Sequence, residues 1–171
     1  MPRIKLYTDE SNNHKVFVDG GGNIKLYYTQ YENGLSGIRY DGYFNDDLNW
    51  FDTAPLHGDT NILSSIDNFT SSADDYSWKW TGYFKPSSSE LYTFYTYSDD
   101  ASYLFISDIL VVDNGGAHGP NEQNGSISLT ADTYYPITIL FGESGGGDIM
   151  TVSFSTDTIS KTTNGSGYYF H

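Results

Sequence analysis

The chain has 171 residues, no cysteine, and 22 acidic against 8 basic residues, a net charge of −14. A field of that sign repels phosphates and anionic lipid, so nucleic acid is not expected as a partner, while divalent cations are attracted. There is no disulfide framework or thiol chemistry, no apolar run long enough to insert in a membrane, and no signal-peptide pattern in Met1-Pro-Arg-Ile-Lys5.

Low hydrophobicity with high charge borders on disorder. Here 16 Tyr, 10 Phe and 3 Trp supply the burial that a fold needs. Length and uniform composition point to a single domain over residues 1–171. Helix signals are nearly absent, and apolar residues alternate with Thr, Tyr, Val, Ile and Phe enriched, which is the strand pattern. Strands are expected near 15–18, 23–31, 37–44, 76–84, 90–97, 102–106, 109–112, 125–130, 134–141 and 150–155. Residues 45–75 are less regular and read as long loops. Turns rich in Gly, Asn and Ser separate the strands, at 19–23, 113–116 and 144–148, and Lys85-Pro-Ser-Ser-Ser-Glu90 reads as a hairpin loop. The tail after Thr156 reads as a flexible connector or a weakly held last strand. Many short strands with such turns indicate an all-β fold, a sandwich or a barrel.

Asp-Asp occurs three times. Asp46-Asp47 and Asp74-Asp75 lie in polar surroundings and read as solvated turn residues. Asp99-Asp100 differs, because apolar strands bracket it tightly. On a regular strand adjacent side chains point to opposite faces, so two neighbouring Asp cannot share a partner. Bringing both carboxylates to one side needs a sharp backbone departure, which a cis peptide would provide. Like charges held close raise one pKa, and a divalent cation offsets that repulsion, so Asp99 and Asp100 are candidate metal ligands. The bland alternative is a strand-end turn with solvated acids. Calcium takes about six to eight oxygens, so other ligands are needed. Phe141-Gly-Glu-Ser-Gly-Gly-Gly-Asp148 offers the carboxylates of Glu143 and Asp148 and glycines that let carbonyls turn inward. The same glycines also suit a wide hairpin, and the residues alone leave the two readings open.

Four stretches, Tyr76-Ser-Trp-Lys-Trp-Thr-Gly-Tyr-Phe-Lys-Pro86, Tyr92-Thr-Phe94, Ser98-Asp-Asp100 with Leu104-Phe-Ile106, and Leu129-Thr-Ala-Asp-Thr-Tyr-Tyr-Pro-Ile137, resemble the protective-antigen (PA-14) domain. The resemblance covers about residues 35–155 and implies an antiparallel β-sandwich. Carbohydrate-binding members hold one calcium with two adjacent Asp joined by a cis peptide, a role that falls on Asp99 and Asp100. They add a side-chain ligand and backbone carbonyls from the loop before the last core strand. That implies Glu143, where the adhesins tend to have Asn, and the carbonyls of Gly145 and Gly147. Ile24-Lys-Leu-Tyr-Tyr28, residues 37–44 and Gly165-Ser-Gly-Tyr-Tyr-Phe170 are also similar to virion structural proteins of tailed phages, especially cyanophages.

The expected function is calcium-dependent, lectin-like binding of surface glycans, on a virion or at a cell surface. Sugar hydroxyls would complete the calcium shell and contact Asp99, Asp100, Ser144 and Asp148, with Tyr103, Tyr97 or His118 as an aromatic wall or hydrogen-bonding group. Shallow sites of this kind rely on several copies, and Tyr-rich edges in a virion component make a homo-oligomer and contacts with other virion proteins an expectation. The alternative is a non-catalytic virion structural or decoration protein in which calcium only holds the loops. An enzyme is not expected. Glycosidase carboxylates stand about 5–10 Å apart across the scissile bond, which neighbouring Asp on one metal do not match, and hydrolase, zinc-protease and P-loop motifs are missing.

Overall fold

The computed structural model describes residues 14–18, 24–28, 30–71 and 73–171. The turn expected at 19–23 and the first five residues lie outside them. The described residues divide into two units between residues 32 and 33. In the first, β1 (His14–Val18) and β2 (Ile24–Tyr28) form an antiparallel pair.

The second unit is an antiparallel sandwich. One sheet runs in the order β4 (Leu56–Leu63), β3 (Leu35–Asp41), β5 (Tyr76–Phe84), β10 (Tyr135–Glu143), β7 (Ser102–Ile106), β8 (Ile109–Asn114), and β12 (Tyr169–Phe170) adds to β5. The other is β11 (Ile149–Ser155), β6 (Glu90–Asp99), β9 (Asn121–Leu129). The alternation seen in the sequence has its cause here. On β6, Tyr92, Phe94, Thr96 and Ser98 are buried while their neighbours face outward. Phe84 is the meeting point of the two sheets and the tail. Its ring lies 5.0–5.9 Å from those of Tyr92, Phe94, Phe154, Tyr168 and Tyr169, all but the Tyr168 pair at steep angles that suit ring quadrupoles. A second, smaller cluster of Tyr40, Phe44, Phe51, Ala101, Tyr103 and Leu140 packs near the 3-10 turn Trp50–Asp52.

The structure corrects the reading at three places. Residues 45–75 contain β4, an edge strand. Its residues are exposed except for two half-buried positions near its end, so it has no buried face to impose an alternating pattern. Residues 85–89 are not a hairpin loop: β5 and β6 belong to different sheets, and turn composition reports a bend, not a pairing partner. Of the two readings of the tail, the structure has the last strand, β12 on β5, and not the flexible connector. Thr162 bridges to Phe154, the Gly165 amide donates to Ser65 Oγ, and Tyr169 is fully buried. Strands at 90–99, 121–129 and 135–143 run further than alternation alone suggested, because backbone pairing continues past the alternating stretch, on β9 through exposed Asn121–Asn124 and on β10 to the buried Glu143.

Two chain crossings place the candidate site. The chain leaves β6 after Asp99 and enters β7 at Ser102, crossing from the small sheet to the large one. It crosses back between Glu143 of β10 and Ile149 of β11. In register, Asp99 lies opposite Ile149 and Ser102 opposite Phe141, so the two crossings lie side by side.

Truncating Phe84 to Ala is expected to cost about 3–5 kcal/mol, measured by urea unfolding as a lower midpoint with an unchanged slope. Leu91→Ala, at an exposed position, is expected to stay within about 0.5 kcal/mol of the parent.

Candidate metal and ligand site

At the crossings, oxygen atoms of Asp99, Asp100 and Glu143 lie within 4.8 Å of one another. The Asp99-Asp100 peptide is cis. Asp100 is tightly held. Its Oδ1 accepts from the His118 amide at 2.7 Å, and its Oδ2 accepts from the Ser144 amide at 2.9 Å and the Ser144 hydroxyl at 2.8 Å. Glu143 is fully buried. Its Oε1 accepts from the Gly145 amide at 2.7 Å, and its Oε2 has no hydrogen-bond partner. Burial, then the charge of Asp100, pushes its carboxyl up to about 7, and the Gly145 amide only partly opposes this. Burial and Asp100 likewise raise Asp99, while His118 opposes the rise. A buried acceptor with an unused oxygen, facing two further carboxylates, fits a cation: hard oxygen donors suit calcium, and an orphaned buried oxygen is otherwise costly.

The glycine loop closes the site. Gly146 adopts φ +113°, a conformation that L side chains rarely take. Gly147 lies beside Asp99, where an added methyl group would stand 3.8 Å from Oδ2. Asp148 stands outside the group of three carboxylates, though its charge still acts on Asp99 and Glu143: its Oδ2 accepts from the Tyr76 hydroxyl at 2.5 Å and from the Ser71 amide.

The residues named from sequence therefore separate. Asp99, Asp100, Glu143 and Ser144 come together, with Gly145 and Gly147 around them. His118 reaches the site through its backbone amide, while its ring nitrogens sit 2.9 Å from the Gly119 carbonyl and 3.3 Å from that of Asn114. Tyr103 is buried in the small cluster and donates to Asp46 Oδ1 at 2.9 Å, so its ring packs inward against Phe44.

Sequence reasoning missed the supports. The other two Asp-Asp pairs are not merely solvated turns. Asp46 accepts from the Gly116 amide and from Tyr103, bracing the loop that carries His118. Asp74 accepts from the Gly146 amide, and Asp75 from that of Tyr43. Beneath the cis peptide, Asn114 donates to Ser98 Oγ, which bonds Ser102 Oγ, and Asn121 donates to Asn114 Oδ1. Ser98, Ser102 and Asn114 are all buried. The Tyr43 hydroxyl, buried and without a hydrogen-bond partner, faces the same acids. Burial first, then Asp46, Asp100 and Glu143, push it up to about 12. Their Asn-Gly and Asp-Asp words were visible, but nothing local in sequence showed that they converge.

The raised Glu143 sets a pH dependence. Its folded value of about 7 exceeds the ordinary 4.5, so folding favours the protonated form. In chelator, stability is expected to fall as pH rises from about 4.5 to 7, read as unfolding temperature. Glu143→Gln is expected to flatten that fall and raise the unfolding temperature of chelated protein at pH 8. Saturating calcium is expected to remove the fall in the parent if it is held here, since a cation would take the carboxylates in their deprotonated form.

The chain is similar in sequence or in fold to several known proteins. The anti-sigma-I factor RsgI3 of Acetivibrio thermocellus is 32% identical over 104 residues, covering 60% of this chain, which spans 16% of that protein. The epithelial adhesin 6 A domain of Candida glabrata, solved in complex with Galβ1-3GlcNAc, superposes with a TM-score of 0.70 at 18% identity, covering 84% of this chain and 88% of that one. The PA14 sugar-binding domain of an RTX adhesin superposes at 0.69 and 19% identity, covering 81% and 98%. A family model described as the PA14 domain matches residues 31–167, wider at both ends than the 35–155 of the sequence motifs, and the chain belongs to the PA14 domain family.

Proposed function

We propose that the chain is a non-catalytic carbohydrate-binding module that works through calcium held by Asp99, Asp100 and Glu143. The observation that carries this reading is the Glu143 Oε2, buried and without a hydrogen-bond partner, within a group of three carboxylates. The sugar-bound adhesin domain and the sugar-binding RTX domain share the fold and support the choice of ligand class.

Bound calcium would offer open coordination positions to neighbouring hydroxyls of a sugar. The chain's own residues do the rest. Asp100, fixed by three hydrogen bonds, holds its carboxylate in one orientation. Ser144, exposed at the mouth, and the amides of the glycine loop border the place where the sugar would sit. A neutral polyhydroxyl ligand suits a chain of net charge −14, which disfavours anionic glycans. The setting that fits is a surface outside a cell or a particle such as a phage virion, where several copies raise avidity. Among the described residues no helix is long and apolar enough to cross a membrane.

A second reading, a structural or decoration module, is favoured by the cross-bracing of the loops through Asp46–Gly116 and Asp74–Gly146. In it, calcium ties the crossings together and contacts no sugar. The RsgI3 match, confined to a small part of that protein, is equally served by a module that binds or one that supports.

Calcium titration by calorimetry is expected to show one site in the parent and none in Asp99→Ala. A glycan array is expected to give signals that vanish with chelator and in the variant. Calcium binding without any chelator-sensitive glycan signal would leave the structural reading standing alone, and no calcium binding would overturn both.

A further inference from the structure

The outward face of β6 carries a feature that the cation site does not use. Alternation places Tyr95, Tyr97 and Asp99 on one side of the strand, opposite the buried Thr96 and Ser98. Tyr97 and Asp99 are two strand residues apart, about 7 Å. Tyr97 lies between Thr151 of β11 and Glu122 of β9. With Asp67, Asn68 and Lys161 these residues line an open groove of about 350 Å³, which lies in the range of small-ligand sites, roughly 300–1,000 Å³.

The lining selects a ligand by its chemistry. The half-buried Tyr97 ring packs on no other described ring, and its hydroxyl bonds to no described residue. Around it stand polar groups already held in place. Lys161 Nζ donates to both Glu122 oxygens, at 2.7 and 2.6 Å, and lies 4.1 Å from the centre of the Tyr95 ring. Asp67 accepts from Asn68 Nδ2 at 3.0 Å and from Thr163 Oγ1 at 3.1 Å, and the Asn68 amide donates to Thr151 Oγ1 at 2.9 Å. Each carboxylate oxygen keeps a lone pair for a further donor. Two acids against one lysine disfavour an anion, and the polar rim disfavours a purely apolar guest. A sugar ring satisfies both sides, with an apolar face for the Tyr97 ring and hydroxyls for Glu122, Asp67 and Asn68.

We infer that this groove is a second carbohydrate subsite, which takes the sugar ring adjoining the one at Asp99 and Asp100, so that the chain selects oligosaccharides over single sugars. The inference rests on the carbohydrate reading above.

The test is a glycan array in calcium that pairs each monosaccharide with its longer oligosaccharides, read for the parent, Tyr97→Ala, Tyr97→Phe and Asp99→Asn. In Tyr97→Ala, oligosaccharide signals are expected to fall about ten-fold with monosaccharide signals and calorimetric calcium affinity unchanged. Tyr97→Phe, which keeps the ring, is expected to retain most of the signal, and Asp99→Asn to lose all of it. Should Tyr97→Ala fail to fold, Glu122→Ala is expected to show the same selective loss. Equal loss for short and long glycans, no loss, or weakened calcium binding in the Tyr97 variants would overturn the subsite and leave the cation site intact. No calcium-dependent glycan signal in the parent would overturn both.

Discussion

Three carboxylates within 4.8 Å of one another repel, by about 3 kcal/mol for each charged pair at an effective dielectric of about 20. No chain would hold that arrangement by local preference. The two crossings between sheets impose it, because strand register sets Asp99 against Ile149 and Ser102 against Phe141. The core around Phe84 locks both sheets, and the sheets in turn lock the acids. Protonation of Glu143 and binding of a cation are two ways of relieving the same repulsion.

The polar supports follow from this constraint. A turn that must present two neighbouring Asp on one side cannot also be stabilised by an apolar pattern, so buried hydrogen bonds take over. Ser98, Ser102 and Asn114 hold it from below. Asp46 and Asp74 hold the flanking loops from the sides. Such networks hold well when every member is satisfied. The Oε2 of Glu143 and the hydroxyl of Tyr43 are the members left over, and both face the acids.

The outer face of the small sheet then extends the functional end. Alternation along β6 gives Asp99 and Tyr97 the same side, so a strand that contributes a carboxylate to the corner also contributes an aromatic ring to the neighbouring groove. Periodicity makes the two features contiguous, with no further element required.

The amino-acid sequence by itself determined the strand character, the all-β fold class and the unusual standing of Asp99-Asp100, while the choice of a sandwich over a barrel came from family resemblance. The first three rest on local pattern: alternation follows from one buried face, and tight apolar brackets make an acidic pair conspicuous. The motifs pointed to Glu143 and its glycines by family resemblance. Only the tertiary structure decided which turns cross between sheets, that edge strand β4 exists at all, that Tyr103 packs inward on Phe44, and that all three Asp-Asp pairs serve one end of the sandwich. The physical reason is that these outcomes depend on register and sheet assignment, which are set by contacts between residues far apart in the chain. Asp74 meets Gly146 and Asp46 meets Gly116 across some seventy positions, a distance over which no local pattern carries information.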